Sequence, residues 1–229
     1  VSPSSLAEIV ASRETWVAQS LWPGATFVVI GSGPSLTKED CWAVYDARNS
    51  GEHREIRIIA INDAYQLAWF ADVLYAPDLQ WWQWKKLAGV TREQLPPRCF
   101  TWDPQVLAYY DTVTPLGRAN DLGLSPDRSK LASGGFSGYA ALNLSVHLGP
   151  PSRILTLGFD MQAGPKGQHH FNGEHPNGNH INYPLKVGNF KSIATELKAL
   201  KIPVINCSKW TSVTAFPRMG LADALRECR

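Results

Sequence analysis

Two kinds of segment in this 229-residue chain carry residues suited to chemistry: small polar residues after short apolar runs, and a cluster of histidines. Gly31-Ser32-Gly33-Pro34-Ser35 follows Thr26-Phe27-Val28-Val29-Ile30 and opens a segment of helical character. Glycines let the backbone approach a phosphate, and a helix N-terminus offers unpaired N–H groups at the positive end of its dipole. Leu36 stands where G-x-G-x-x-G needs its third glycine, and no Gly-Lys-Ser/Thr follows as in a P-loop. The turn fits a bound phosphate, and equally a tight strand–helix connection with no ligand. Ser133-Gly134-Gly135-Phe136-Ser137-Gly138 is a second small-residue loop before a helix. There Ser137 either only caps the helix, or does so while the loop N–H groups face an anion.

Single polar residues mark other strand ends. Asn62, followed by Asp63, has an amide able to hold a ribose, a base or a phosphate, although Asn-Asp is also a common turn. Asp78 follows Ala76-Pro77. Gly158-Phe159-Asp160 closes an apolar run with a carboxylate that suits a base, a ribose partner, a metal ligand or a plain turn. His169, His170, His175 and His180 are four of the six histidines and share one short stretch. Imidazoles titrate near neutrality and ligate metals. Their spacing matches no standard zinc motif, so no metal site is assigned, and solvated loop histidines would look the same. Trp81-Trp82-Gln83-Trp84-Lys85-Lys86 interleaves aromatics with bases, as a patch that stacks nucleobases or sugar rings would. On a helix Trp81 and Trp84 share a face, which favours core packing instead.

The elements that must position these residues alternate in type. Short apolar runs at 26–30, 56–61, 72–75, 98–102, 154–157 and 204–205 read as strands. Amphipathic or capped segments at 4–21, 37–48, 80–87, 137–148, 190–200 and 221–227 read as helices, the first with Ser5 and Glu8 in capping-box spacing. The stretches 103–131 and 161–188 read as long loops forming a lid. This alternation predicts one α/β domain over 1–229, with a Rossmann-like, mostly parallel sheet and helices on both faces. Ligands on such sheets bind beyond the carboxyl ends of the strands. Ser32, Asn62, Asp78, Ser137 and Asp160 all fall at those ends, so one crevice would gather them.

Composition narrows the class. A net charge of +2 dictates neither a nucleic-acid nor a membrane partner. Glu8, Arg13 and Glu14 interrupt any signal-peptide core, and no apolar run approaches a membrane span. Four scattered cysteines without a C-x-x-C pair suit a reducing compartment, so a cytoplasmic location is expected. Nothing in the sequence sets an oligomeric state.

The order Val28-Val29-Ile30-Gly31-Ser32-Gly33-Pro34-Ser35-Leu36, then Asn62, then Ser137-Gly138, then Leu157-Gly158-Phe159-Asp160 resembles the bacterial sialyltransferases that use CMP-sialic acid. It equally resembles a related group that includes motility-associated flagellin glycosyltransferases and the archaeal 6-hydroxymethylpterin diphosphokinase. The likeness spans roughly 26–216, with Pro203-Val204-Ile205-Asn206-Cys207-Ser208 where the family has a similar strand. It implies that Gly31, Ser32 and Gly33 contact the phosphate and ribose, Asn62 helps hold the donor, and Ser137-Gly138 sits beside the base or phosphate. Gly158, Phe159, Asp160 and Met161 would lie under the nucleotide, with 161–188 closing over it. The chain departs from the family pattern at Ser32 and Ala76, where sialyltransferases carry asparagines. It departs again before the penultimate helix, where Tyr183, Pro184 and Lys186 stand in place of the catalytic histidine and His180 is the nearest one. Nucleotide binding carries over more directly than sialic-acid chemistry.

The leading expectation is a glycosyltransferase with a nucleotide-sugar co-substrate and no required cofactor. His180 or His175 would take the acceptor proton, while Lys186, Tyr183 and loop N–H groups would stabilise the departing phosphate. The acceptor would be a glycan, a protein or a modified nucleic-acid base. One alternative is a diphosphokinase or other phosphoryl-transfer enzyme using Mg²⁺ held by Asp78, Asp160 or the histidine loop. Another is a non-catalytic nucleotide-binding protein.

Overall fold

The central strands are apolar on both faces, so each must be covered twice, and that requirement shapes the molecule. The computed structural model describes residues 16–52, 55–119, 122–173 and 183–228. In chain order the elements are β1 (Thr26–Ile30), α1 (Lys38–Asn49), β2 (Ile56–Ile61), β3 (Val73–Tyr75), α2 (Leu79–Leu87), β4 (Arg98–Thr101) and β5 (Thr114–Pro115). Then come β6 (Gly117–Arg118), β7 (Lys130–Leu131), α3 (Ser137–His147), β8 (Arg153–Leu157), α4 (Tyr183–Val187), α5 (Phe190–Ala199), β9 (Val204–Asn206) and α6 (Leu221–Arg226). Seven strands form one parallel sheet in the order β5-β4-β3-β2-β1-β8-β9. This is the Rossmann-like α/β fold.

Alternation along the strands sorts the core into two layers. Val28 and Ile30 of β1, with Ile58 and Ala60 of β2, pack against Cys41 and Val44 of α1, Trp82 of α2 and Ala224 of α6. Phe27 and Val29, with Ile59 and Ile61, pack against Tyr139 and Leu142 of α3 and Phe190, Ile193 and Leu197 of α5. Those three α5 residues recur at helical spacing, which is why one stripe suffices to seat the helix. α1 starts where its sequence says it should. Thr37 accepts the Asp40 N–H at 3.3 Å and Asp40 accepts that of Thr37 at 3.0 Å, a complete capping box.

Three expectations change. Residues 4–15 of the expected N-terminal helix lie outside the described residues, and 16–22 are not helical. There Ala18 donates to the Arg128 carbonyl at 2.9 Å, while Leu21 and Trp22 donate to that of Leu148 at 2.7 and 2.9 Å. Their N–H groups are satisfied from elsewhere, so no helix is needed. The stretch 103–131 supplies the sheet's edge strand β5 and the separate pair β6–β7, and it buries Val106, Leu107, Val113, Leu116 and Leu131. The tail of 161–188 is not loop but the short helix α4, with Pro184 in its first turn, where a missing N–H costs nothing. Among the described residues, no helix is long and apolar enough to cross a membrane.

At the opposite end of the sheet from the polar strand ends, Asp72 joins β2, β3 and α1. Its carboxylate accepts the Ile58 N–H at 2.9 Å and meets Arg48 and Arg57 at 3.2 Å each. Asp72→Ala would leave that N–H without its acceptor and take one partner from each guanidinium, Arg48 keeping the Phe70 carbonyl and Arg57 keeping Glu55. The expected cost is about 3 kcal/mol in urea unfolding, with Asp72→Asn costing less. Equal stability of Asp72→Ala and wild type would show that the network is incidental.

Candidate functional site

The carboxyl ends of β1, β2 and β8 and the N-terminus of α3 enclose a crevice of about 500 Å³. It gathers most of the residues singled out by sequence: Gly31, Ser32, Gly33 and Pro34 on one wall, Ser137 and Gly138 on another, and Gly158, Phe159 and Met161 between them. Asn62, Asp78, Tyr183 and Lys186 complete the rim, together with His169 and His170. His175 and His180 lie outside the described residues.

The glycine turn does something other than the sequence implied. A Cβ on Gly33 would stand 2.5 Å from the Gly158 carbonyl oxygen, and one on Gly31 would stand 2.8 Å from the same atom. These glycines let the turns after β1 and β8 touch. Their donors are spent in the same contact: Gly31 N–H binds the Leu157 carbonyl at 2.7 Å and Gly33 N–H binds that of Gly158 at 3.0 Å. Ser35 N–H goes to Asp160 at 2.6 Å, Leu36 N–H goes to the Gly33 carbonyl, and Pro34 has no N–H. Of this turn's N–H groups only that of Ser32 has no partner among the described residues, so the loop does not offer the several open donors of a phosphate cradle.

Open donors sit on α3 instead. Ser137 was expected to cap that helix, but Phe136 occupies the cap position, and its side chain accepts nothing. The first helical bond is Ala140 N–H to the Phe136 carbonyl, so the N–H groups of Ser137, Gly138 and Tyr139 have no partner among the described residues. Gly134 and Gly135 turn the chain into the helix with φ of +51° and +82°, values other residues adopt poorly. The Asn189 amide holds this turn by donating to the Gly134 carbonyl at 2.9 Å. The stem of Lys186 packs over Gly135, where a Cβ would meet its Cδ at 2.8 Å. An uncapped helix N-terminus beside a lysine is a site for a negative group.

Asn62 faces this across the crevice. Its backbone is left-handed, φ +49°, and its side-chain Oδ1 is buried without a partner among the described residues. Left-handed backbone and orphaned buried acceptors of this kind cluster at ligand sites. Ser32 supports the position by donating from Oγ to the Ile61 carbonyl at 2.9 Å. Met161, φ +48°, is a second strained residue on the wall. Tyr183 stacks on Phe136 with centroids 6.2 Å apart, and His169 packs on Tyr183 at 5.6 Å, its buried Nδ1 without a hydrogen-bond partner among the described residues. The histidine cluster was legible in sequence, but nothing there singled out His169 and His170 from its other two members.

Other assignments change. Asp160 is fully buried behind the crevice wall, its two oxygens taken by Ser35, at 2.6 Å from N–H and 2.5 Å from Oγ. It is a clamp between the two strand ends, neither a base nor a ribose partner, and Ser35 goes with it. Of the ligands expected for magnesium in the phosphoryl-transfer alternative, Asp160 is thus turned toward Ser35, Asp78 lines the crevice, and His175 and His180 of the histidine loop lie outside the described residues. In the tryptophan–lysine segment, Trp81 and Trp82 are core, and Lys85 is paired with Asp63. Asp63 also accepts from Trp81 Nε1 at 3.2 Å and from the Asn172 amide at 3.1 Å.

Burial pushes the Asp160 carboxyl up from 3.8 to about 6, with the Ser35 bonds pulling the other way. A carboxyl raised in the folded state favours folding when protonated, and that contribution is lost as pH rises between about 4 and 6. The loss amounts to roughly 3 kcal/mol at ~1.4 kcal/mol per unit. Asp160→Asn keeps an acceptor for the Ser35 N–H and should remove this fall. The stability difference between variant and wild type, followed by urea unfolding across that window, should grow with pH. A difference independent of pH would mean that Asp160 stays ionised.

The chain matches no family model and no curated protein sequence, so what the crevice binds has to be argued from its chemistry.

Proposed function

We propose that this chain is a glycosyltransferase that takes its sugar from a nucleotide-linked donor held in the crevice. One observation carries the reading: unpaired N–H groups of α3 and the Lys186 side chain lie across from the orphaned Asn62 amide. The first pair suits a phosphate or diphosphate, and the amide suits a sugar or base hydrogen bond. A crevice of about 500 Å³ is within the usual range for a ligand of this size. In the reaction a hydroxyl oxygen attacks the anomeric carbon, and the bond to the phosphate oxygen breaks with its electron pair leaving on the phosphate. The helix N-terminus and Lys186 stabilise that developing charge. Four buried, unpaired cysteines agree with a reducing, cytoplasmic setting.

Thermal shift against CMP, UDP, GDP and ATP and their sugar derivatives tests the ligand class. A binding nucleotide sugar should raise Tm by several degrees through mass action. Lys186→Ala, at an exposed position, should leave the free protein's Tm unchanged and weaken binding about tenfold. Asn62→Gly should be as stable as wild type or more so, because it relieves about 1 kcal/mol of strain, yet should lose donor affinity. If no nucleotide or nucleotide sugar shifts Tm, the reading fails. Turnover that requires Mg²⁺ and labels the acceptor with phosphate would favour the phosphoryl-transfer alternative.

A further inference from the structure

Beside the crevice, where β3 and β4 end, lies a second cavity of about 640 Å³ that none of the preceding chemistry uses. Its walls carry indoles from Trp84 and Trp102, carboxylates from Asp78 and Asp103, and amides from Gln80 and Gln105. Asn62 and Asp78 line both this cavity and the crevice, so the two spaces meet beyond the ends of β2 and β3. Resting on the glycosyltransferase reading, we infer that this cavity is the acceptor subsite, that it takes a neutral sugar ring, and that Asp78 at the junction receives the proton of the attacking hydroxyl.

The wall chemistry selects among acceptors. Indole surfaces pack against the C–H face of a pyranose, and carboxylates and amides accept from or donate to its hydroxyls. No lysine or arginine lines the cavity among the described residues, and Lys85 of the neighbouring helix is paired with Asp63. A nucleic-acid acceptor needs cations for its phosphates and would meet two carboxylates instead. The platform is also held in place. Trp102 lies edge-on to Tyr75 at 6.2 Å, and the Arg118 guanidinium sits 5.4 Å from its ring centroid. Asp103, which accepts the Gln105 N–H at 2.9 Å, lines the cavity alone, whereas Asp78 lines both the cavity and the donor crevice.

The step balances without a further reactant. The acceptor oxygen bonds to the anomeric carbon, the carbon–oxygen bond to phosphate breaks with its electron pair on phosphate, and the hydroxyl proton moves to the Asp78 carboxylate. Protonated Asp78 then returns the proton to water.

Binding of free glucose, galactose, mannose and N-acetylglucosamine to the full chain, followed by tryptophan fluorescence, tests the subsite. Nucleotide binding is followed in parallel by thermal shift. At least one sugar should bind, and Trp84→Ala should weaken it about tenfold without changing the nucleotide shift. With the nucleotide sugar giving the largest shift, Asp78→Asn should lower kcat for transfer by about 100-fold while donor KM moves far less. A protein that binds nucleotides but no sugar, or binds sugar equally well as Trp84→Ala, overturns the subsite and leaves the donor reading standing. Single-stranded DNA binding that Trp84→Ala abolishes would also overturn it. Near-normal kcat in Asp78→Asn removes Asp78 from the proton's path. Loss of every nucleotide shift in wild type is instead a failure of the donor reading.

Discussion

The site depends on one close approach: the turns that leave β1 and β8 touch backbone to backbone. Gly31 and Gly33 carry no Cβ because the Gly158 carbonyl fills the space, and two N–H groups close the gap. Asp160 and Ser35 then lock the joint from behind, with the carboxylate held in a fully buried setting. Everything on the crevice floor takes its position from this joint. Phe159 lies against Gly138 of α3, where a side chain would stand 2.9 Å from the ring, so α3 can bring its N-terminus over the strand ends only because Gly138 is bare. Polar groups are spent on architecture below the floor and left available above it.

That division explains what sequence could and could not show. β1 and β2 were legible to the residue because buried parallel strands are continuous apolar runs that stop at polar or glycine residues. The two-residue strands β5, β6 and β7 carry no period and were invisible as strands. Asp160 looked functional because a carboxylate at a strand end usually faces solvent, and its partner Ser35 lies 125 positions away in the chain. Ser137 looked like a cap for a similar reason, since its residue type fits the role. The actual cap, Phe136, leaves the donors open, a property of backbone geometry that residue preferences do not carry.

Electrostatics sort the two spaces differently. The crevice sets helix N–H groups and Lys186 beside Asp78, and the neighbouring cavity sets a second carboxylate, Asp103, and the Gln80 and Gln105 amides beside the same Asp78. In the proposed reading a charged phosphate is therefore favoured on the crevice side and an uncharged hydroxylated ring on the other. The boundary between them, at Asn62 and Asp78, is set by the ends of adjacent strands and so is fixed by sheet register.

Asp63, next to that boundary, holds Lys85 and Trp81 of α2 on one side and Asn172 on the other. Phe171 is tied in turn to the Ser32 carbonyl at 3.0 Å. The segment over the crevice and the helix flanking its neighbour thus share a single carboxylate anchor. Loss of the Asp63 carboxylate would therefore release the walls of both compartments at once.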